Sequence, residues 1–135
     1  MAIERPDPEH SERRAFVRIR TSLPVRYAFV GLDGKRLPPG ISEGSCANLS
    51  AGGLLLQAKI HDLAWGMDLL TQRTAVAVSI PLPALMEPVK ALARAAWIET
   101  VDAVTHRCNL GLFFRENSQE DRDRLFQFVI REQLG

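Results

Sequence analysis

Apolar residues recur at every second position in one short run after another, and this period constrains the fold more than any other feature of the chain. Leu23, Val25, Tyr27 and Phe29 alternate with Pro24, Arg26 and Ala28; Val76, Val78 and Ile80 repeat the pattern before Pro81 and Pro83; Cys108, Leu110, Leu112 and Phe114 form the last set. Successive side chains of a strand point to opposite faces, so each run predicts a strand with one buried face. Ser45 to Leu49 leads through Ala51-Gly52-Gly53 into Leu54-Leu55-Leu56, which predicts two strands meeting at a glycine corner, and Gly31-Leu32-Asp33-Gly34-Lys35 predicts a turn. Val89 to Val101 is long for one strand; Trp97, Ile98, Thr100 and Val101 favour β structure, and a bend or bulge is expected to divide it. After Asn117 and Ser118 the period changes. Gln119, Glu120 and Asp121 make an acidic first turn behind a capping residue, and Leu125, Phe126, Val129 and Ile130 supply the apolar stripe of a helix. The fold class that follows is mainly β: a six-stranded antiparallel barrel with a C-terminal α-helix.

A length of 135 residues fits one domain. Residues 1–12 are polar and carry Pro6 and Pro8, which predicts a mobile N-terminal arm ahead of a single domain over 13–135. Hydrophobic residues make up 46% and charged ones 24%, the composition of an ordinary globular protein. The 17 basic against 16 acidic residues leave a net charge of +1, which argues against a nucleic acid polymer held by overall field but not against a small anion held by local arginines. No apolar run approaches the ~18 residues of a membrane span, and the first twenty residues contain no apolar signal segment. Cys46 and Cys108 are too few and too far apart for a secreted disulfide framework. These features predict a cytoplasmic protein with no membrane insertion.

Catalytic and metal-binding patterns are missing from the sequence. It has no Walker-type loop, no dinucleotide fingerprint, no nucleophile elbow and no His-Glu-x-x-His. His10, His61 and His106 are scattered; His106 and Cys108 share an alternation but lack two further ligands at zinc spacing. Cys108 falls in phase with Leu110 and Leu112, which predicts a buried, inert thiol. A hydrolase acting through Cys108 or a histidine would need a base and an orienting group that the sequence does not offer, so no enzyme is expected.

Two short features stand out. Glu12-Arg13-Arg14-Ala15-Phe16-Val17-Arg18-Ile19-Arg20 holds four arginines in eight residues and no lysine, at the entry to the first strand. The guanidinium fork bonds two acceptors at once and its flat face stacks on rings, which suits phosphate and guanine together, although a charge run of this kind is also what a solvated surface looks like. Asn48-Leu49-Ser50-Ala51-Gly52-Gly53 puts an amide and a hydroxyl two residues apart on one strand face, with Gly53 free to take positive φ or to let a ligand approach; an ordinary turn with Asn48 and Ser50 bonded to their own backbone fits equally.

Taken in this order, Arg14-x-x-x-Arg18 and, some thirty residues on, Asn48-x-Ser50-x-x-Gly53 resemble the PilZ domain, the bacterial receptor module for cyclic di-GMP. The resemblance continues through Leu23-Pro24-Val25-Arg26-Tyr27, Ala95-Ala96-Trp97, Cys108 to Phe114 and the terminal helix, and so covers roughly residues 12–132. It implies a PilZ-type barrel that binds cyclic di-GMP and relays this second messenger to an unidentified protein controlling motility, pili, biofilm or polysaccharide. The alternative is a PilZ-like adaptor that binds a protein partner without nucleotide. Arg14 and Arg18 would grip phosphate and guanine, Asn48 and Ser50 the other guanine edge or a phosphate, and Gly53 would keep the approach open. Trp97 is a candidate stacking wall, though a strand tryptophan is more often core. In the family an extra arginine directly before the pair accompanies two stacked ligands; here that residue is Arg13, and two cyclic di-GMP molecules per chain are expected.

Overall fold

A computed structural model describes residues 18–60, 62, 64–83 and 87–134. Six strands close into an antiparallel barrel: β1 (Arg18–Val30), β2 (Ser42–Ser50), β3 (Gly53–Lys59), β4 (Ala75–Ile80), β5 (Val89–Asp102) and β6 (Arg107–Glu116), in the spatial order β1-β2-β3-β6-β5-β4. The alternating apolar residues point into it. Val25, Tyr27 and Phe29 from β1, Leu54 and Leu56 from β3, Val76, Val78 and Ile80 from β4 and Leu110 and Leu112 from β6 are all buried. Closure pairs β1 with β4, Tyr27 opposite Val78 and Phe29 opposite Val76, so described strands share every edge and the sheet offers no long free one. The turn after β1 forms as expected, with Gly34 at φ +80° and the Lys35 amide donating to Asp33 Oδ1 at 3.0 Å.

Two helices are described. The short α1 (Trp65–Leu70), which the alternation does not announce, buries Leu69 and sets Trp65 edge-on to Phe29 at 5.8 Å. The C-terminal α2 (Gln119–Leu134) starts where the acidic turn predicts, with Ser118 Oγ accepting from the Asp121 amide at 3.0 Å. It packs against β5, β1 and β2 through Leu125, Phe128 and Val129. The expected stripe is therefore corrected by one position. Phe126 stands 46% exposed and Phe128 takes the buried place, because 125, 128 and 129 share one helical face whereas 126 lies about 100° around from 125. Asp121 anchors the helix to the sheet, bonding Arg124 at 2.7 Å and accepting from the Lys90 amide at 3.1 Å.

Both thiols face the core, Cys46 fully buried and Cys108 at 1% exposure. Burial pushes the Cys46 thiol up to about 12, partly offset by a backbone hydrogen bond with Asn48, and raises Cys108 as well. Burial also raises Tyr27, whose hydroxyl donates to the Lys59 carbonyl at 3.1 Å and accepts from the Lys59 amide at 2.9 Å. An acid whose folded pKa is raised holds its proton in the native state after the unfolded chain has released it, so stability falls as pH rises above the unfolded value. Thermal melts are expected to be level below pH ~8.5, the free thiol value, and to drop above it; Cys46→Ala should remove the first part of that drop. A curve that rises from pH 8.5 to 10.5, or one identical in Cys46→Ala, would contradict this. His106 sits in the β5–β6 turn at φ +62°, outside the strand that carries Cys108, so the expectation of a shared strand face does not hold.

Candidate functional site: the outer face over β1, β2, β3, β6 and β5

Strand register assembles the sequence features. Arg18, the first residue of β1, pairs with Ser50 at the end of β2; Ser50 pairs with Gly53, Gly53 with Phe113 and Phe113 with Arg94. The neighbouring row runs Arg20, Asn48, Leu55, Gly111 and Trp97. The two rows cross five adjacent strands at the end of the barrel where β1 and β3 begin. Strands stand ~4.8 Å apart, so four intervals make an arc of the order of 19 Å along the curved outer surface. Arg13, Arg14 and the expected arm of residues 1–12 lie outside the described residues.

Two bulges decide which side chains occupy that face. In β2, Cys46 pairs with Leu56 and Asn48 with Leu55, so Ala47 is the extra residue: Cys46 and Leu49 turn inward and Asn48 outward. In β5, Ala95 pairs with Leu112 and Trp97 with Gly111, which leaves Ala96 extra. Without that insertion Trp97 would follow Ala93 and Ala95 into the core. With it, Trp97 stands outside at 41% exposure and Ile98 turns toward Leu110. The expected bend in the long strand is this bulge, and the tryptophan is a surface residue. The Ala95 carbonyl beside it accepts from Gln72 Nε2 at 3.3 Å, a contact supplied by the segment that follows α1.

The turn residues divide their labour. Ser50, 8% exposed, accepts from the amides of Gly52 at 3.1 Å and Gly53 at 3.2 Å, so its hydroxyl holds the β2–β3 corner in shape. Asn48 is different: its side-chain amide has no hydrogen-bond partner among the described residues. Gly53 does not take a positive φ, contrary to one of the two reasons expected for it. Its lack of a side chain serves a close approach, because a Cβ there would overlap the Leu112 carbonyl oxygen of β6. Gly111 answers a similar demand, since a Cβ there would overlap the Trp97 indole.

The charge on this face is cationic. Arg20 and Arg94 are exposed and neither has a hydrogen bond or ion pair with a described residue. On α2, by contrast, Arg124 is engaged with Asp121 at 2.7 Å and Arg122 with Asn117 and Gln119. Two free guanidinium groups, a free amide and an exposed indole can together bond anionic oxygens and purine edges and stack a ring. Arg94, Leu55 and Phe113 were not singled out by the sequence; only outward parity on their strands could have flagged them, and that does not say which rows align. A cleft of about 410 Å³ opens farther along β2, β3 and β6, lined by Glu43, Ser45, Gln57, Lys59, Arg107 and Asn109 among others, and touches none of the motif residues. Among the described residues no group of three or more His, Cys, Asp or Glu is arranged to hold a metal ion, and no helix is long and apolar enough to cross a membrane.

Comparison with known proteins bears on the same frame. The profile of the PilZ domain matches residues 12–131. Among solved structures, the Bacillus subtilis inhibitor of motility MotI/DgrA is 22% identical with a TM-score of 0.64, over 90% of this chain and 52% of that one, so this chain spans about half its length. The PilZ domain of Escherichia coli YcgR, solved with c-di-GMP, is 19% identical with a TM-score of 0.53, covering 90% of this chain and 92% of that one. The PilZ domain of CeSA from a cellulose-synthesizing bacterium is 19% identical with a TM-score of 0.52, over 86% of this chain and 97% of that one. No curated protein matches the chain. Closed six-stranded barrel, terminal helix and a profile match over nearly the whole length agree: the chain belongs to the PilZ domain family.

Proposed function

We propose that the protein is a cytoplasmic receptor for cyclic di-GMP, without catalytic activity of its own, that relays binding to a downstream protein. One observation carries this reading: the Asn48–Gly53 corner abuts the start of β1, so Arg18 and Ser50 share a register pair and Arg20 and Asn48 share the next. Cyclic di-GMP presents two phosphates and two guanines. Arg14 and Arg18 meet the phosphates and the O6/N7 edge of a guanine, Asn48 offers an amide with no competing bond among the described residues, and Ser50 keeps the corner rigid. Trp97 supplies a ring on the same face. Family membership and the YcgR domain solved with c-di-GMP support the ligand class.

Titration calorimetry with cyclic di-GMP, with GTP and cyclic GMP as controls, tests the reading and counts the ligands. The expected stoichiometry is two per chain. Two stacked molecules bring four phosphates together, and Arg13 beside Arg14 and Arg18 reduces their repulsion. Arg13→Leu should shift the count toward one with the fold retained. A one-to-one wild-type titration at ligand concentrations far above Kd would reject the second ligand and leave the receptor standing; no heat with cyclic di-GMP would reject the receptor.

A further inference from the structure

The glycine of β6 at position 111 has no conformational reason to be a glycine. Its φ is not in the left-handed region, and it lies between the buried Leu110 and Leu112, so its missing side chain would point outward. The outward space is taken by Trp97. A Cβ on Gly111 would overlap Nε1 and Cε2 of the indole and come within 2.8 Å of Cδ1, so the pyrrole edge of the ring rests directly on the Gly111 backbone. A ring so placed reaches from β5 over β6 and fills the space that a side chain at Gly111 would take. With one side on the glycine and 41% of the residue still exposed, it presents its free surface to solvent. Leu55, half-buried, is the next residue in that row, followed by Asn48 and Arg20.

We infer that Gly111 is a positioning residue of the ligand site: by carrying no Cβ it lets the Trp97 indole settle over β6, as the stacking platform on which a guanine is held while its edge is read from the Asn48 side. The inference rests on the cyclic di-GMP reading and deepens it. The Ala96 bulge and the Gln72 hydrogen bond at the Ala95 carbonyl turn the tryptophan outward; Gly111 then sets the tilt of its ring. A cross-strand aromatic over a glycine also shields strand backbone, and if it did only that, Gly111→Ala would alter stability and leave ligand affinity alone.

The test is a double-mutant cycle read by titration with cyclic di-GMP, on Gly111→Ala, Trp97→Ala and the pair. Loss of one base stack corresponds to a roughly five- to hundredfold drop in affinity, expected in each single variant. Because Gly111 acts through the ring, the pair should bind no more weakly than Trp97→Ala alone. In a Trp65→Phe background, acrylamide quenching of the remaining indole should rise in Gly111→Ala without ligand, as the ring lifts from the strand. Wild-type affinity in Gly111→Ala, or losses that multiply in the pair, would overturn the inference and leave the receptor reading intact. No binding by the wild type would overturn both. If Gly111→Ala does not fold, Trp97→Phe and Trp97→Ala decide: the smaller ring should keep most of the affinity and the methyl should not, and equal affinity in the two would overturn the platform.

Discussion

Arg18→Ala and Arg14→Ala each lower the affinity for cyclic di-GMP by 30-fold or more while far-UV circular dichroism and the thermal midpoint stay at wild-type values. Arg18 opens β1 opposite Ser50, at the corner where β1, β2 and β3 meet, and the next two positions of alternation carry the buried Ile19 and the exposed Arg20. The barrel is built from the apolar positions inside it, so a guanidinium at the strand's first residue contributes little to stability. In the complex it would contribute much more, because removing one partner of a buried, charge-assisted pair costs roughly 2–5 kcal/mol, part of it from the phosphate left without a counter-charge. That range is about 30-fold to several thousandfold in Kd. Arg18→Lys separates charge from geometry: it keeps the charge and loses the two-pronged fork and flat face, and should recover only part of the loss. Wild-type titrations in both alanine variants, with the fold intact, would show that these arginines form a solvated charge run and nothing more.

Gly53→Ala and Gly53→Val both destabilise the barrel, and the alanine variant does most of the damage. The atoms a Cβ would meet are the carbonyl oxygen and carbon of Leu112 and the Cα of Phe113, all backbone of the partner strand and none of it the movable end of a side chain. β3 and β6 must therefore separate where they pair at Gly53 and Phe113. Overpacking of this kind typically costs about 1–3 kcal/mol and more where backbone has to yield. For a domain of this size 2–3 kcal/mol lowers the thermal midpoint by on the order of 10 °C. Ligand affinity falls with it, since the Ser50 hydroxyl bonds the Gly53 amide and the corner beside Asn48 loses its shape. A Gly53→Ala protein that melts like the wild type would remove the close-approach explanation; one that melts like the wild type but fails to bind would return Gly53 to the role of clearing space for the ligand.

Side-chain alternation is local physics, and what depends on it was legible in the sequence. Val76, Val78 and Ile80 face the core because a strand cannot point them elsewhere while burying one side, and Cys108 is buried because it shares phase with Leu110 and Leu112. The acidic start of α2 was legible for the same reason, since Ser118 and Asp121 are three residues apart and bond each other. The arginine pair and the Asn-x-Ser-x-x-Gly corner pointed to the family because short spacings are kept within one turn or strand end. What the sequence could not settle is whatever depends on register between strands distant in the chain. Trp97 is outside because one residue, Ala96, has no partner on β6, and an unpaired residue is a property of two strands together. Phe128 rather than Phe126 is buried because the rotation of α2 is chosen by β1, β2 and β5. Gly53 and Gly111 are glycines because of what another strand places over them, the Leu112 carbonyl in one case and the Trp97 ring in the other. Composition and period determined that a barrel forms and which residues fill it; the rows Arg18-Ser50-Gly53-Phe113-Arg94 and Arg20-Asn48-Leu55-Gly111-Trp97 exist only once closure and two bulges have fixed the register, because a shift of one residue would turn each side chain to the opposite face.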